Sequence, residues 1–153
     1  MLDLGIVIGV FLIMEGVTWF THKYVMHGFL WVLHKDHHDH RLHGSWWERN
    51  DAFFIIFAIP SIVLFVLGTI YAVPYCWQIA SGITLYGMAY FFVHDIFIHQ
   101  RLKVMRDSEN SYFRALRRGH KMHHKHIGKE EGECFGMLFV PLKYFSKAKR
   151  STR

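Results

Sequence analysis

The chain has 153 residues, of which 52% are hydrophobic and 20% are charged. So much apolar surface excludes a disordered chain, and a soluble globule of this size could hardly bury it. The two cysteines, Cys76 and Cys134, exclude a four-cysteine zinc site and an iron–sulfur cluster. The length indicates a single domain over residues 1–153.

Three apolar stretches are each near the length needed to cross a bilayer, at about residues 4–21, 52–73 and 76–94. Pro74 separates the second stretch from the third and predicts a tight turn between two antiparallel helices. No basic segment precedes the first stretch, which favours a membrane helix over a signal peptide. We therefore predict an all-α integral membrane protein with three long transmembrane helices.

A fourth apolar stretch, residues 134–145, is too short to span a bilayer and is interrupted by Pro141. It is a candidate for a short re-entrant or interfacial segment.

Positive charge is distributed unevenly, because all 18 lysines and arginines lie in residues 22–49 and 101–153. Basic residues collect on the cytoplasmic side of membranes. We therefore expect residues 22–50 and 94–153 to face the cytoplasm as a helical cap, with the N-terminus outside and residues 111–126 forming one helix. The net charge of +6 then reflects membrane orientation and contact with anionic lipids rather than binding to nucleic acid.

Ten of the 13 histidines fall into four motifs, HxxxxH then HxxHH, occurring twice. Each HxxxxH follows directly on an apolar stretch, so the arrangement is an internal repeat. The other three, His40, His43 and His126, are expected to be solvated or to support the motif histidines. The motifs consist of His22 and His27; His34, His37 and His38; His94 and His99; and His120, His123 and His124.

The spacing of these histidines predicts a site for two metal ions. On an α-helix the first histidine of HxxHH lies within about 60° of each of the other two, while the adjacent pair diverges by about 100° and can reach different ions. The HxxxxH pair diverges by about 140° on an α-helix, so an unwound turn or a π-bulge would be needed to bring its rings together. Neutral imidazole suits iron, zinc, copper and nickel, and two such ions beside a membrane indicate redox or oxygen chemistry. We nominate no catalytic residue beyond the metal centre.

Three aspartates flank the candidate ligands, namely Asp36, Asp39 and Asp95. Each could accept the second N–H of a ligating ring and thereby orient it. Alternatively, each could pair with a neighbouring basic residue or cap a helix. Both interpretations stay open for Asp36 and Asp39, whereas Asp95 is the preferred candidate for orienting a ligand.

Glu15 is the only carboxylate within the three predicted spans. Carboxylates inside membranes are expensive and are usually paired or functional. Glu15 lies seven positions before His22, so the two share nearly the same helix face. We expect it to support the metal site, either through a water to an imidazole or by bonding a polar group such as Thr69 or Thr84 on another span.

The whole pattern resembles the bacterial beta-carotene 3-hydroxylases of the membrane fatty acid hydroxylase superfamily. The resemblance covers nearly the whole chain and extends beyond the histidines. It includes HKYVMHG at 22–28, ND at 50–51, YGMAYFFVHDIFIHQR at 86–101 and GKEEGECFG at 128–136.

This resemblance implies a non-haem diiron mono-oxygenase in which the ten motif histidines hold two iron ions, with zinc as an ion that would also fit. It implies O2 as oxidant and electrons from a ferredoxin-type donor, ultimately from NAD(P)H. The implied reaction is hydroxylation of carbon 3 of the β-ionone rings, from β-carotene to β-cryptoxanthin and then zeaxanthin. The bilayer would supply the substrate, and ring-ketolated carotenoids such as canthaxanthin would lead toward astaxanthin.

Three alternatives have distinct signatures. A fatty acyl or sterol hydroxylase or desaturase would use the same metal chemistry on another lipid. A metal-ion transporter would place its site near the bilayer midplane, whereas these histidines follow the ends of the apolar stretches. A haem protein needs only one or two axial histidines.

A row of aromatic residues either lines a channel for a long polyene or serves packing, namely Phe53, Phe54, Phe57, Tyr86, Tyr90, Phe91 and Phe92.

Overall fold

The computed structural model describes residues 2–39, 41, 46–105 and 107–145, and the predictions for His40 and His43 lie outside this range. All regular structure in the described residues is helical. The α-helices are α1 (Leu2–Phe20), α2 (Trp31–His38), α3 (Ala52–Ile70), α4 (Cys76–Phe91) and α5 (Ser111–His123). Two π-helical segments, π1 (Thr21–Phe29) and π2 (Phe92–Ile98), continue α1 and α4, and short 3₁₀ turns form at Arg49–Asp51 and Leu142–Tyr144.

Three helical stretches are long and apolar enough to cross a membrane by length and composition: Leu2–Phe29, Arg49–Ile70 and Cys76–Ile98. Helix α4 packs against both α1 and α3. The all-helical architecture with three long apolar helices is therefore as predicted. Most apolar side chains of α1 and α3 remain exposed on the outside of the bundle, which suits contact with lipid.

Two glycines allow the long helices to pack closely. A Cβ atom at Gly82 of α4 would lie 2.7 Å from Cβ of Val10 in α1, and one at Gly68 of α3 would lie 2.8 Å from Cδ1 of Trp77. Small residues at such crossings are typical of helices that pack in membranes. Between α3 and α4, Ala72 and Tyr75 adopt positive φ angles of 51° and 63°, which closes the predicted tight turn.

The remaining elements gather at the π-helical ends of α1 and α4. Helix α5 starts at a cap, because the Asn110 side chain accepts hydrogen bonds from the backbone N–H groups of Tyr112 and Phe113. It ends at His123, earlier than the predicted 111–126. The cause is tertiary, since the carbonyls of His126 and Lys129 accept hydrogen bonds from histidines of other elements and draw the chain away from the helix.

The candidate re-entrant stretch, residues 134–145, is irregular except for its 3₁₀ turn. Met137 is 1% exposed and packs with Val93 of π2 and Leu116 of α5. The stretch also bonds to α1 through Glu15. It therefore lies beside the ends of the long helices, while Phe139 and Leu142 remain exposed.

Candidate metal centre

Both HxxxxH motifs lie at π-helical turns, the distortion that the spacing requires. Hydrogen bonding from residue i to i+5 places residues five apart on one face. The ring centroids of His22 and His27 are accordingly 5.2 Å apart, and those of His94 and His99 are 4.5 Å apart. The backbone N–H of His99 donates to the carbonyl of His94 at 2.9 Å, which closes the last such turn.

Nine of the ten motif histidines form two groups in which the potential ligand atoms lie within 4.8 Å of one another. Each HxxHH motif contributes to both groups. The adjacent pair His37 and His38 divides between the groups as predicted, whereas in the second motif the division is between His120 and His123. All of these rings are buried except that of His99, which is half-buried. Cluster A consists of His22, His27, His34, His38 and His123, and cluster B consists of His37, His94, His99 and His120.

The tenth motif histidine, His124, lies between the two clusters. Its ring centroid is 4.5 Å from that of His38 in cluster A and 4.7 Å from that of His37 in cluster B. It is also 4.4 Å from His120. Residue 124 follows the end of α5, so its ring can approach both clusters.

Most of these rings donate their Nδ1–H to an oxygen on the outside of the cluster. In cluster A, His22 donates to the carbonyl of Phe135 at 3.0 Å, and His34 donates to Oδ1 of Asn50 at 2.7 Å. These bonds fix the tautomer and leave the Nε2 lone pair for a ligand. The other acceptors of cluster A are the backbone carbonyls of Lys129, His126 and Glu133, which face His27, His38 and His123.

The Nε2 atoms face one another across the clusters. In cluster A, the Nε2 atoms of His22 and His34 are 3.1 Å apart, and the Nε2 atoms of His27 and His123 are 3.2 Å apart. In cluster B, the Nε2 atoms of His37 and His94 are 3.0 Å apart. With Nδ1 protonated, each such contact brings two lone pairs together, which is repulsive unless a cation lies between them. Two nitrogens bound to one ion at about 2.1 Å are about 3.0–3.4 Å apart at ordinary coordination angles.

Protonation does not relieve this repulsion. Burial lowers the pKa of His34, His37 and His120 well below the ordinary histidine value, and neighbouring histidines lower it further. Burial lowers the pKa of His123 as well. Neutral imidazoles are the form that binds transition metals. The donor set and its geometry therefore fit a pair of ions such as iron or zinc.

Cluster B differs in its outer partners. His37 donates Nδ1–H to Oε2 of Glu48 at 2.7 Å, and His94 lies 3.0 Å from Oδ2 of Asp95. Arg101 contacts both carboxylates, at 3.5 Å and 3.1 Å. Asp95 therefore makes both of the contacts considered from the sequence: one carboxylate oxygen lies beside the His94 ring, and the other pairs with Arg101.

The other two aspartates contact a backbone N–H and an arginine in the described part of the chain. Oδ2 of Asp36 accepts the backbone N–H of Arg49 at 2.8 Å. Asp39 pairs with Arg41 at 2.7 Å, which is the alternative interpretation. Sequence reasoning instead missed Glu48 and Asn50 as partners of histidines. Asn50 belongs to the ND segment of the family resemblance, which was the available signal.

Glu15 is 6% exposed and occupies a backbone nest rather than a contact with an imidazole. Its Oε1 accepts the N–H groups of Met137, Leu138 and Phe139, each at 2.9 Å, and its Oε2 accepts the hydroxyl of Tyr86 at 2.6 Å. Glu15 thus does bond a polar group on another span, as expected, but that group is the Tyr86 hydroxyl and not Thr69 or Thr84. The Thr69 hydroxyl donates a hydrogen bond to the carbonyl of Phe65, and the Thr84 hydroxyl is hydrogen-bonded to the Ser61 hydroxyl.

Glu15 thus stabilises the position of the loop whose carbonyls orient the histidines of cluster A. This loop, residues 126–139, carries the four carbonyls that accept Nδ1–H bonds from cluster A histidines. Gly136 permits the approach, since a Cβ atom there would lie 2.8 Å from Oε1 of Glu15. The carboxylate supports the histidines indirectly, through the backbone that holds them.

An apolar cavity of about 580 Å³ lies among α1, α3 and α4. It reaches Met26 of π1 and Asn50, whose side chain bonds His34 of cluster A. The cavity therefore extends from between the long helices to the edge of the metal centre. Six of the seven predicted channel aromatics line it, namely Phe53, Phe54, Phe57, Tyr86, Tyr90 and Phe91, whereas Phe92 is not part of the lining.

Replacing His124 with alanine is expected to abolish turnover and lower the metal content, because its ring touches both clusters. Metal analysis of the purified chain and a product assay would measure the two effects. Lys125→Ala is the matched control, since Lys125 is adjacent and exposed. Normal turnover by the His124→Ala variant would contradict a role for this ring at the centre.

The fold and site define a class of protein: an all-helical chain of three long apolar helices whose ends bring histidines into two clusters suited to metal ions. The model of the fatty acid hydroxylase family matches residues 7–145. The chain belongs to this family, and it is a hydroxylating oxygenase.

Curated relatives resemble the chain over most of its length. A beta-carotene hydroxylase of Paracoccus sp. (strain PC1) is 37% identical over 137 residues, which are 89% of this chain and 83% of the relative. One of Pantoea ananas is 41% identical over 84% of this chain and 71% of the relative. A chloroplastic beta-carotene 3-hydroxylase of Gentiana lutea is 36% identical, with 92% of this chain covering 42% of the relative. No solved structure matches the chain.

Proposed function

We propose that this protein hydroxylates carbon 3 of the β-ionone rings of carotenoids, converting β-carotene to β-cryptoxanthin and then to zeaxanthin. Ring-ketolated carotenoids such as canthaxanthin are further substrates of the same reaction, leading toward astaxanthin. The proposal is supported by similarity to beta-carotene hydroxylases over most of both chains in bacteria.

The observation that carries the proposal is the position of the cavity. Its walls are almost wholly apolar and aromatic, and one end reaches Asn50, the partner of His34. A ring entering this cavity from the bilayer would thus approach cluster A while the rest of the polyene stays among apolar side chains. The same walls exclude water from the reacting carbon, which protects an oxidising centre from side reactions.

The ten motif histidines would hold two iron ions, with cluster A and cluster B as the two positions and His124 between them. Bound iron would supply the activation of O2, so that one oxygen atom enters the C–H bond and the other leaves as water with two electrons and two protons from outside. The chain itself contributes orientation. The Nδ1–H bonds described above turn the Nε2 lone pairs of those rings inward, and the oxygens that accept the bonds hold the rings in that orientation.

The proposed location is the cytoplasmic membrane, with the N-terminus outside and the metal centre in a cap on the cytoplasmic side. The support is the uneven distribution of basic residues. Membrane lipids and carotenoid surround the long helices. A ferredoxin-type protein, reduced ultimately by NAD(P)H, would deliver electrons from the cytoplasm.

Pigment chromatography on a bacterial host that accumulates β-carotene tests this function, with and without the chain. We expect β-cryptoxanthin and zeaxanthin to appear with the chain and not with a His120→Ala variant. A ferredoxin and its reductase should be co-expressed, so that a missing donor cannot explain a negative result. Unchanged β-carotene with iron-loaded protein in the membrane would contradict the carotenoid substrate, and hydroxylated acyl chains in the same extract would indicate the acyl alternative.

Filling the cavity should block the reaction without disturbing the metal. A Cβ atom at Gly87, which lines the cavity, meets nothing within 4 Å. Gly87→Phe is therefore expected to lower turnover by roughly 100-fold, as displacement of a substrate from its reactive position does. Iron content should stay that of the parent chain.

Gly5→Phe is the control for this substitution. Gly5 also lies in a long helix with open space around its Cβ position, but it does not line the cavity. Equal turnover by the Gly87→Phe and parent chains would show that the ring binds elsewhere.

A further inference from the structure

The two histidine clusters have outer partners of different charge. The five histidines of cluster A donate to four backbone carbonyls and the amide oxygen of Asn50, which are all neutral acceptors. In cluster B, His37 and His94 instead contact the carboxylates of Glu48 and Asp95. The outer acceptors of cluster A are therefore carbonyl and amide oxygens, whereas those of His37 and His94 in cluster B are carboxylate oxygens.

Arg101 contacts both of these carboxylates and a third one. Its guanidinium lies 3.5 Å from Glu48, 3.1 Å from Asp95 and 2.7 Å from Asp51. Three carboxyl groups thus share the single positive charge of one guanidinium. The side chains of Glu48, Asp95 and Arg101 are 8%, 1% and 9% exposed, so solvent screens this charge weakly.

We propose that Glu48 and Asp95, held together by Arg101, form an anionic support that strengthens metal binding at cluster B alone, so that the two metal positions are chemically unequal. This inference rests on the metal binding proposed above. A carboxylate that accepts the far N–H of a ligating imidazole makes the ring a stronger base, and loss of such a partner typically weakens metal binding by about 10- to 100-fold. Glu48 and Asp95 are positioning residues, because they act through His37 and His94.

Two substitutions change the charge of a histidine's outer partner while keeping the size of the side chain and its acceptor oxygen. Glu48→Gln keeps the size of the side chain and an oxygen that can accept the Nδ1–H of His37, but removes the negative charge. Asn50→Asp makes the reciprocal change at cluster A, because it keeps an oxygen beside His34 and adds a charge. Asp95→Asn provides a second test of cluster B if the Glu48 variant folds poorly.

The experiment is a titration of the full chain with Co²⁺, in lipid nanodiscs after removal of bound metal by a chelator. The visible absorption of Co²⁺ follows binding directly and does not depend on substrate or electron donor. The same titration of a His99→Ala variant, which lacks one proposed ligand of cluster B, identifies the step that belongs to cluster B as the one that is lost or weakened. The remaining step then reports cluster A.

We expect Glu48→Gln and Asp95→Asn to weaken the same one of two binding steps by about 10- to 100-fold. Neither should change the step that remains in the His99→Ala background. Asn50→Asp should strengthen that remaining step.

Equal weakening of both steps by Glu48→Gln, or of neither, would overturn the inference while leaving the metal centre intact. A shift of different steps by Glu48→Gln and Asp95→Asn would also overturn it. Absence of stoichiometric Co²⁺ binding by the parent chain would instead contradict the proposed metal centre itself. The two failures are therefore distinguishable.

Discussion

Replacing His123 with alanine is expected to lower the bound iron from two ions per chain to one and to abolish hydroxylation. The ring is 0% exposed, its Nδ1–H donates to the carbonyl of Glu133 at 2.8 Å, and its Nε2 lies 3.2 Å from that of His27. Alanine removes one of the five nitrogen donors of cluster A, whose other four rings already point inward. The proposed reaction uses both metal positions, so loss of one ion is expected to end turnover.

Metal analysis and pigment chromatography on the same membranes measure the two effects together. His126→Ala is the matched control, because this side chain is partly exposed and its contribution to cluster A, the backbone carbonyl that faces His38, survives the substitution. The control should keep both ions. Two ions per chain and normal product in the His123→Ala variant would refute its place in cluster A.

Replacing Glu15 with alanine is expected to destabilise the folded chain by about 3 kcal/mol or more, because three backbone N–H groups lose their acceptor and each unsatisfied buried donor costs about 1–3 kcal/mol. The loop at 126–139 would detach from α1, and the carbonyls that orient cluster A would move with it. Iron content should therefore fall at cluster A first. Thermal unfolding in detergent, followed by metal analysis of the folded fraction, measures both effects.

Tyr86→Phe provides the comparison, since it removes only the hydroxyl that Oε2 of Glu15 accepts and leaves the three N–H bonds intact. Its cost should be about 1 kcal/mol, the net value of one hydrogen bond. Glu15→Gln keeps an acceptor oxygen and should fall between the two. If Glu15→Ala costs no more than Tyr86→Phe, the nest at 137–139 does not fasten the loop.

Some features of the site could be predicted because they depend on residues close together in the chain. The histidine spacing indicated two ions and required a distortion at HxxxxH, and the structure shows π-helical turns at both motifs. The identity of the ions and the ligand roles of the ten histidines stay predictions. The end of α5 was misjudged because helical periodicity carries no information on the tertiary bonds of the residues that follow it.

Other features depend on contacts between distant segments. The sequence offered Thr69 and Thr84 as partners of Glu15, whereas the structure uses backbone N–H groups more than 120 positions away. A backbone donor has no signature in the sequence, so no pattern could have identified it. Glu48 was missed for a related reason, because a carboxylate becomes the partner of His37 only when the chain between them folds back.

The sequence by itself determined the class of architecture and the kind of chemistry, through three apolar stretches and ten histidines at regular spacing. These are local properties, set by hydropathy and helical geometry. Only the tertiary structure decided how the histidines divide into clusters A and B, which cluster adjoins buried carboxylates, and where an apolar cavity meets the centre. Each of these depends on which side chains are brought together by packing, and packing joins residues as distant as His22 and Phe135.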